Sequence, residues 1–133
     1  MNIALDNYIL RPPAEADAEQ LLAFVLRNFH HISSSAPNTV SKVKDLESAK
    51  QLIQSRTESA NKKEMFTYTL FHKTSNLMIA NLVIMHLDWT VPKGEIGYYI
   101  DKDYQGRGIT TKLVNRITEY AFGELGFNKL FMC

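Results

Sequence analysis

Cysteine is nearly absent. Cys133 is alone in 133 residues, which excludes an internal disulfide framework and fits a reducing compartment. An excess of either charge is missing too: 15 Lys and Arg against 14 Asp and Glu leave a net charge of +1. No global field therefore recruits nucleic acid or an anionic membrane, and no basic patch with interleaved aromatics favours nucleic acid locally. No apolar run approaches the ~20 residues of a membrane span. The opening MNIALDNYIL lacks the basic region and long apolar core of a signal peptide, so the expected location is the cytoplasm. Glycine and proline are sparse, at 6 and 4, and no repeat, low-complexity segment or interdomain linker stands out. His30, His31, His72 and His86 lack the spacing of a metal-binding helix, so no metal is expected. No Ser/His/Asp order can be argued.

What is present fits one globular domain over residues 1–133, with 45% apolar and 22% charged residues. Ile3 to Leu10 reads as a first strand, closed by Arg11-Pro12-Pro13. Asp17 with Gln20 suggests a capping box for a helix carrying Leu21, Leu22, Val25, Leu26 and Phe29. His30 to Asn38 is a loop by composition; its histidine pair lines a pocket or is an ordinary loop pair. A second helix is expected from about Lys44 to Ser59, with Leu46, Ala49 and Ile53 on one face. Met65 to His72 and Leu77 to Trp89 read as a hairpin turning at Lys73-Thr74-Ser75-Asn76, with Trp89 packing at a strand end. Val91-Pro92-Lys93-Gly94 leads into a strand, Glu95 to Ile100. A helix follows from Gly108, with Leu113, Ile117 and Tyr120/Ala121 on its apolar stripe. Gly126 suits its C-cap, and Phe127 to Cys133 starts a last strand. The order is β-α-α-β-β-β-α-β, an α/β chain with a mixed sheet.

The informative stretch is Gly94 to Glu124: strand, glycine loop, helix. A glycine loop that opens a helix gathers free N–H groups and the positive end of the helix dipole, which suits an anion such as phosphate. The Walker A spacing is absent. In the dinucleotide fingerprint, Thr111 occupies the third glycine position. The pyrophosphate loop of coenzyme A sites, [QR]-x-x-G-x-[GA], fits Gln105-Gly106-Arg107-Gly108-Ile109-Thr110 at its first and fourth positions and departs at the last.

Taken together, Glu95-Ile96-Gly97-Tyr98-Tyr99-Ile100, then Tyr104 to Ile109, then Thr111-Lys112 resemble the central motif of GNAT-superfamily N-acetyltransferases. More narrowly they are similar to the RimJ/RimL-like branch, which acetylates N-terminal amines of ribosomal proteins. That branch reads E-I-G-Y-W-L and then G-x-G-[IL]-M-T; here Tyr99 replaces Trp and Thr110 replaces Met. The resemblance implies the GNAT acyl-CoA N-acyltransferase fold, truncated after the fifth strand. The family's further helix, closing strands and N-x-x-S segment are not found. An exposed last strand bearing Leu130, Phe131 and Met132 would then recruit a second copy. The implied activity is direct acetyl transfer from acetyl-CoA to an amine, above all a ribosomal-protein N-terminal amine. The alternative is an inactive remnant that binds CoA or a partner.

Such a reaction needs a neutral amine, and an α-amine with pKa about 7.7–8.0 meets this more easily than lysine near 10.4. The resemblance makes Glu95 the base, acting through water; otherwise it is a solvated strand-end glutamate. It also pairs the backbone of Tyr98 to Ile100 with the pantetheine arm, while the tyrosine side chains pack between sheet and helix. Gln105, Gly106, Arg107, Gly108, Ile109, Thr110 and Thr111 would hold the pyrophosphate. Arg107 adds a cation there or is a solvated loop residue. Lys112 and Arg116 form a basic helix face, for solubility or for a ribose phosphate.

Overall fold

The computed structural model describes residues 2–33 and 37–132. Of the sequence expectations, Ser34-Ser35-Ala36 in the loop and Cys133 at the end of the last strand lie outside them. The expected first strand is a hairpin, β1 (Ile3–Leu5) and β2 (Tyr8–Arg11), with Leu5 opposite Tyr8. Asp6, at φ 52, takes the left-handed conformation that a short polar side chain tolerates, and so closes the tight turn. Helices α1 (Ala18–Arg27), α2 (Phe29–Ile32), α3 (Pro37–Lys42) and α4 (Leu46–Asn61) follow. Short helices thus occupy much of the expected His30 to Asn38 loop. Then come β3 (Phe66–His72), β4 (Met78–Asp88), β5 (Lys93–Ile100), α5 (Ile109–Tyr120) and β6 (Lys129–Met132). A π-helical turn, Ala121–Leu125, extends α5 to Gly126, which sits at φ 82.

The expected capping box at Asp17 and Gln20 does not form. Asp17 accepts from the Ala14 N–H at 2.7 Å and from Arg11 at 2.8 and 3.0 Å, fastening the strand-to-helix corner. Gln20 reaches the β3–β4 turn instead, donating to Asn76 O and accepting the Met78 N–H at 2.8 Å. The box sits at α4, where Asp45 accepts from the Ser48 N–H at 2.8 Å and Ser48 Oγ accepts from the Asp45 N–H at 3.0 Å.

The expectation of a fold that stops after its fifth strand is overturned. One sheet of six strands runs β1-β2-β3-β4-β5-β6, and β6 follows β5 as a parallel neighbour, with Lys93 opposite Lys129 and Ile96 opposite Met132. The other pairs are antiparallel. Strand alternation sends Leu70, Leu82, Ile84, Ile96 and Ile100 to one face, where they bury Ile109, Leu113 and Ile117 of α5. The other face carries α1 and α4: Phe24, Val25, Ala49, Leu52 and Ile53 pack with Phe71 and Met78. Trp89 caps one sheet end, stacked on Phe127 at 4.9 Å and donating to Lys63 O at 2.8 Å.

Candidate active site

β5 is the strand on which the site is built, and its two edges differ. One edge pairs with β4 as far as Ile100. The other pairs with β6 only from Lys93 to Ile96. From Gly97 to Ile100, that second edge has no strand partner among the described residues, which take β6 as far as Met132; backbone N–H and C=O groups directed there are of the kind an extended ligand pairs with. The side chain of Ile100 is buried in the α5 core, so its backbone alone is on offer. Tyr98, 36% exposed, points to the same face.

Glu95, Gly97 and Tyr99 point to the opposite face, toward α1 and α4. Glu95 is 40% exposed, and its Oε2 accepts from His86 Nδ1 at 2.8 Å. His86 gets there through a bulge. The β4–β5 register slips between Met85 and Asp88, and His86 lies at φ 53. The bulge folds Leu87 over Gly94, where a Cβ would come within 2.9 Å of both Leu87 Cδ2 and Ile84 Cγ2. Tyr99 packs against Phe24, ring centroids 5.8 Å apart, and its hydroxyl donates to Thr39 Oγ1 at 3.4 Å. Burial pushes the Tyr99 phenol up, opposed by the Thr39 bond and the charge of Arg56.

Beyond β5 the chain makes a 3-10 turn, Lys102–Tyr104, and reaches Gly106 and Gly108 at φ 75 and 74. A Cβ built on either glycine would touch no protein atom within 4 Å. The left-handed backbone, rather than crowding, selects glycine there, and the space above stays open. Gly108 offers no side-chain cap to α5, so the first N–H groups of the helix, from Ile109, Thr110 and Thr111, face that space. A pyrophosphate matches this cradle in charge and in donor set.

The flanking side chains are less free than the sequence suggests. The amide of Gln105 lies 2.7 Å from His31 Nε2, tying the loop to α2. His30 stacks edge-on with Phe29 instead. Arg107 is exposed and lies over the Tyr104 ring at 4.7 Å. Lys112 bonds Asp6 at 2.6 Å, which raises its pKa, and Arg116 pairs with Glu119 at 3.6 Å. The basic face of α5 is therefore neutralised within the chain. No group of three or more His, Cys, Asp or Glu that could hold a metal occurs among the described residues.

Sequence reasoning passed over the residue that sets the cradle's start. Asp101 is 1% exposed and accepts from Arg27 Nε at 2.6 Å, Asn28 Nδ2 at 3.1 Å and the Asp103 N–H at 2.9 Å. Burial pushes its carboxyl up, but the Asp103 N–H, Asn28 and Arg27 outweigh that and hold it below the usual range. Asn28 also accepts from the Lys102 N–H at 2.9 Å. A local signal existed, because Asp101 caps the turn that follows it. His86 and Arg27 left no such trace.

Comparison with known proteins agrees with this geometry. A family model described as an acetyltransferase (GNAT) domain matches residues 7–133. YdaF of Bacillus subtilis (strain 168), provisionally named a ribosomal N-acetyltransferase, is 38% identical over 56 residues. That match covers 41% of this chain and spans only 31% of YdaF. Among solved structures, a ribosomal-protein-S5-alanine acetyltransferase from Vibrio fischeri superposes with a TM-score of 0.86 at 20% identity, covering 99% of this chain and 73% of that one. RimL, a ribosomal L7/L12 α-N-protein acetyltransferase in complex with coenzyme A, gives 0.80 at 24% identity, covering 91% and 68%. At these identities the structural likeness is one of fold.

Proposed function

The chain belongs to the acetyltransferase (GNAT) family, and from that premise we propose that it transfers acetyl from acetyl-CoA directly to an amine, the acceptor being a protein N-terminal α-amine of the ribosomal kind. The observation that carries the reading is the glycine cradle at the start of α5, where Gly106 and Gly108 leave open space above the first helix N–H groups. Acetyl-CoA supplies the activated acyl group. The residues of this chain bind and orient it. Backbone groups from Tyr98 to Ile100 extend the sheet onto its arm, while Gly106 to Thr111 hold its diphosphate.

Glu95 faces the side of the sheet opposite α5, on the stretch of β5 that pairs with β6. There it takes the proton of the attacking amine through a water. An N-terminal amine suits so exposed a carboxylate, because near neutral pH it already loses its proton readily. The YdaF likeness supports an acceptor of the ribosomal class.

Calorimetry with acetyl-CoA, followed by thiol release in the presence of N-terminal peptides, tests this. Saturable binding and release are expected, with Glu95→Gln losing roughly 10²–10⁴-fold in kcat. Binding without release would leave a CoA-binding domain with no transfer. An unchanged pH–rate profile in the Gln variant would remove Glu95 from the chemistry.

A further inference from the structure

Arg11, Arg27 and Arg56 are each half-buried, and two of them have a carboxylate partner: Asp17 for Arg11 and Asp101 for Arg27. Arg56 has none among the described residues. It extends the buried stripe of α4, following Ala49, Leu52 and Ile53 at helical spacing. Its Nη1 meets Thr67 Oγ1 at 3.3 Å and Met65 Sδ at 3.4 Å, which leaves most of its five donors unused. It lines a narrow pocket with Thr39, Thr67, Met78, Val83 and Tyr99. The other polar groups there are satisfied internally, Tyr99 by Thr39 and Thr69 by Asn81 at 2.9 Å. A half-buried guanidinium with spare donors and no acid is a receptor for a carboxylate.

The pocket shares a face of the sheet with Glu95. Thr67 lies opposite Val83, and Val83 opposite Gly97, two residues along β5 from Glu95. Two strand spacings and two residues of rise put Thr67 about 12 Å from Glu95. Gly97 itself carries no side chain, and the floor between them is apolar: Met85 Cε and Val83 Cγ2 lie over it, 2.9 and 3.5 Å from where a Cβ would stand. An extended peptide rising ~3.4 Å per residue, with its amine at Glu95, brings the side chain of its third residue to Arg56.

We propose that Arg56 is a specificity residue that selects acceptor peptides bearing an acidic side chain at the third position. The assignment rests on the acetyl-transfer reading above. The test uses matched hexapeptides with glutamate, glutamine or lysine at that position, followed by thiol release, with wild type, Arg56→Met and Arg56→Glu. The glutamate peptide should lead the glutamine peptide about 10-fold in kcat/KM, through KM, as a charge-assisted bond predicts. In Arg56→Met the two should converge, and in Arg56→Glu the lysine peptide should become the best. Acetyl-CoA affinity by calorimetry reports whether each variant is folded, and the charge-reversed variant keeps the test alive should the Met variant fail to fold. Equal turnover of all three peptides by wild type overturns this inference while leaving acetyl transfer standing. Turnover of none overturns both.

Discussion

At the scale of the residue, the site depends on side chains whose neighbours no local pattern reveals. Glu95 and His86 are 9 residues apart, and a bulge brings them to 2.8 Å. The pair is exposed, at 68% for His86 and 40% for Glu95, so it adds little to stability. Its value is directional, since a donor on Oε2 fixes where the carboxylate's remaining lone pairs point. His86→Asn is the suitable probe, because asparagine tolerates the left-handed backbone His86 adopts. We expect kcat to fall about 3- to 10-fold, the worth of one ordinary hydrogen bond, with the thermal midpoint unmoved. Steady-state rates and a melting curve check both. A lower midpoint with unchanged kcat would make His86 structural.

At the scale of the element, β5, its turn and α5 form a unit that the sequence shows well. The alternation of Glu95 to Ile100, the two glycines and the stripe Leu113, Ile117, Ala121 are all local signals. The β1–β2 hairpin was less legible, because its turn is Asp6-Asn7 with no glycine to mark it. Misplacing that turn made six strands look like five. The two glycine types in this unit also differ. At Gly94 a Cβ would crowd Leu87, Ile84 and, at 3.3 Å, Phe127, so Gly94→Ala should destabilise by about 1–3 kcal/mol, as overpacking does; urea unfolding measures it. At Gly108 the same Cβ meets nothing in the protein. Gly108→Ala costs about 1–2 kcal/mol of left-handed strain and places a methyl in the cradle. Its signature should be a rise of about 10-fold or more in the acetyl-CoA dissociation constant by calorimetry. Unchanged affinity would move the diphosphate elsewhere.

At the scale of the whole molecule, two apolar clusters flank one sheet, and the site lies where elements from both faces meet. The sequence placed the strands and the main helices, because each carries its own periodicity. It could not reveal that Arg27 and Asn28, over 70 residues before Asp101, would fix the start of the cradle, since that contact depends on how α1 crosses the sheet. Arg27 Nη2 also donates to Met78 O at 3.3 Å, and the Asp101 N–H to Ile79 O at 2.7 Å, so this cluster ties α1, β4 and the end of β5 together. Asp101→Asn keeps the shape and removes the charge, and should cost about 2 kcal/mol at pH 7, the value of hydrogen bonds to an ionised group. The pH dependence gives the sharper test. The Asp101 carboxyl is held below its usual value in the folded chain, so between the folded value and about 3.9 the unfolded chain binds more protons. Its contribution is complete above that window and is lost as pH falls through the folded value. Asp17, Asp45 and Asp88 are also held low: against burial at Asp17, by Arg11 and the Ala14 N–H, and by Ser48 and Thr90 at the other two. They act equally in wild type and variant, so the difference between the two isolates Asp101. Urea titrations from pH 7 to pH 3 should show that difference constant down to about pH 4 and shrinking below it. A difference that persists undiminished into acid would mean the Arg27–Asp101 pair does not hold α1 against the cradle.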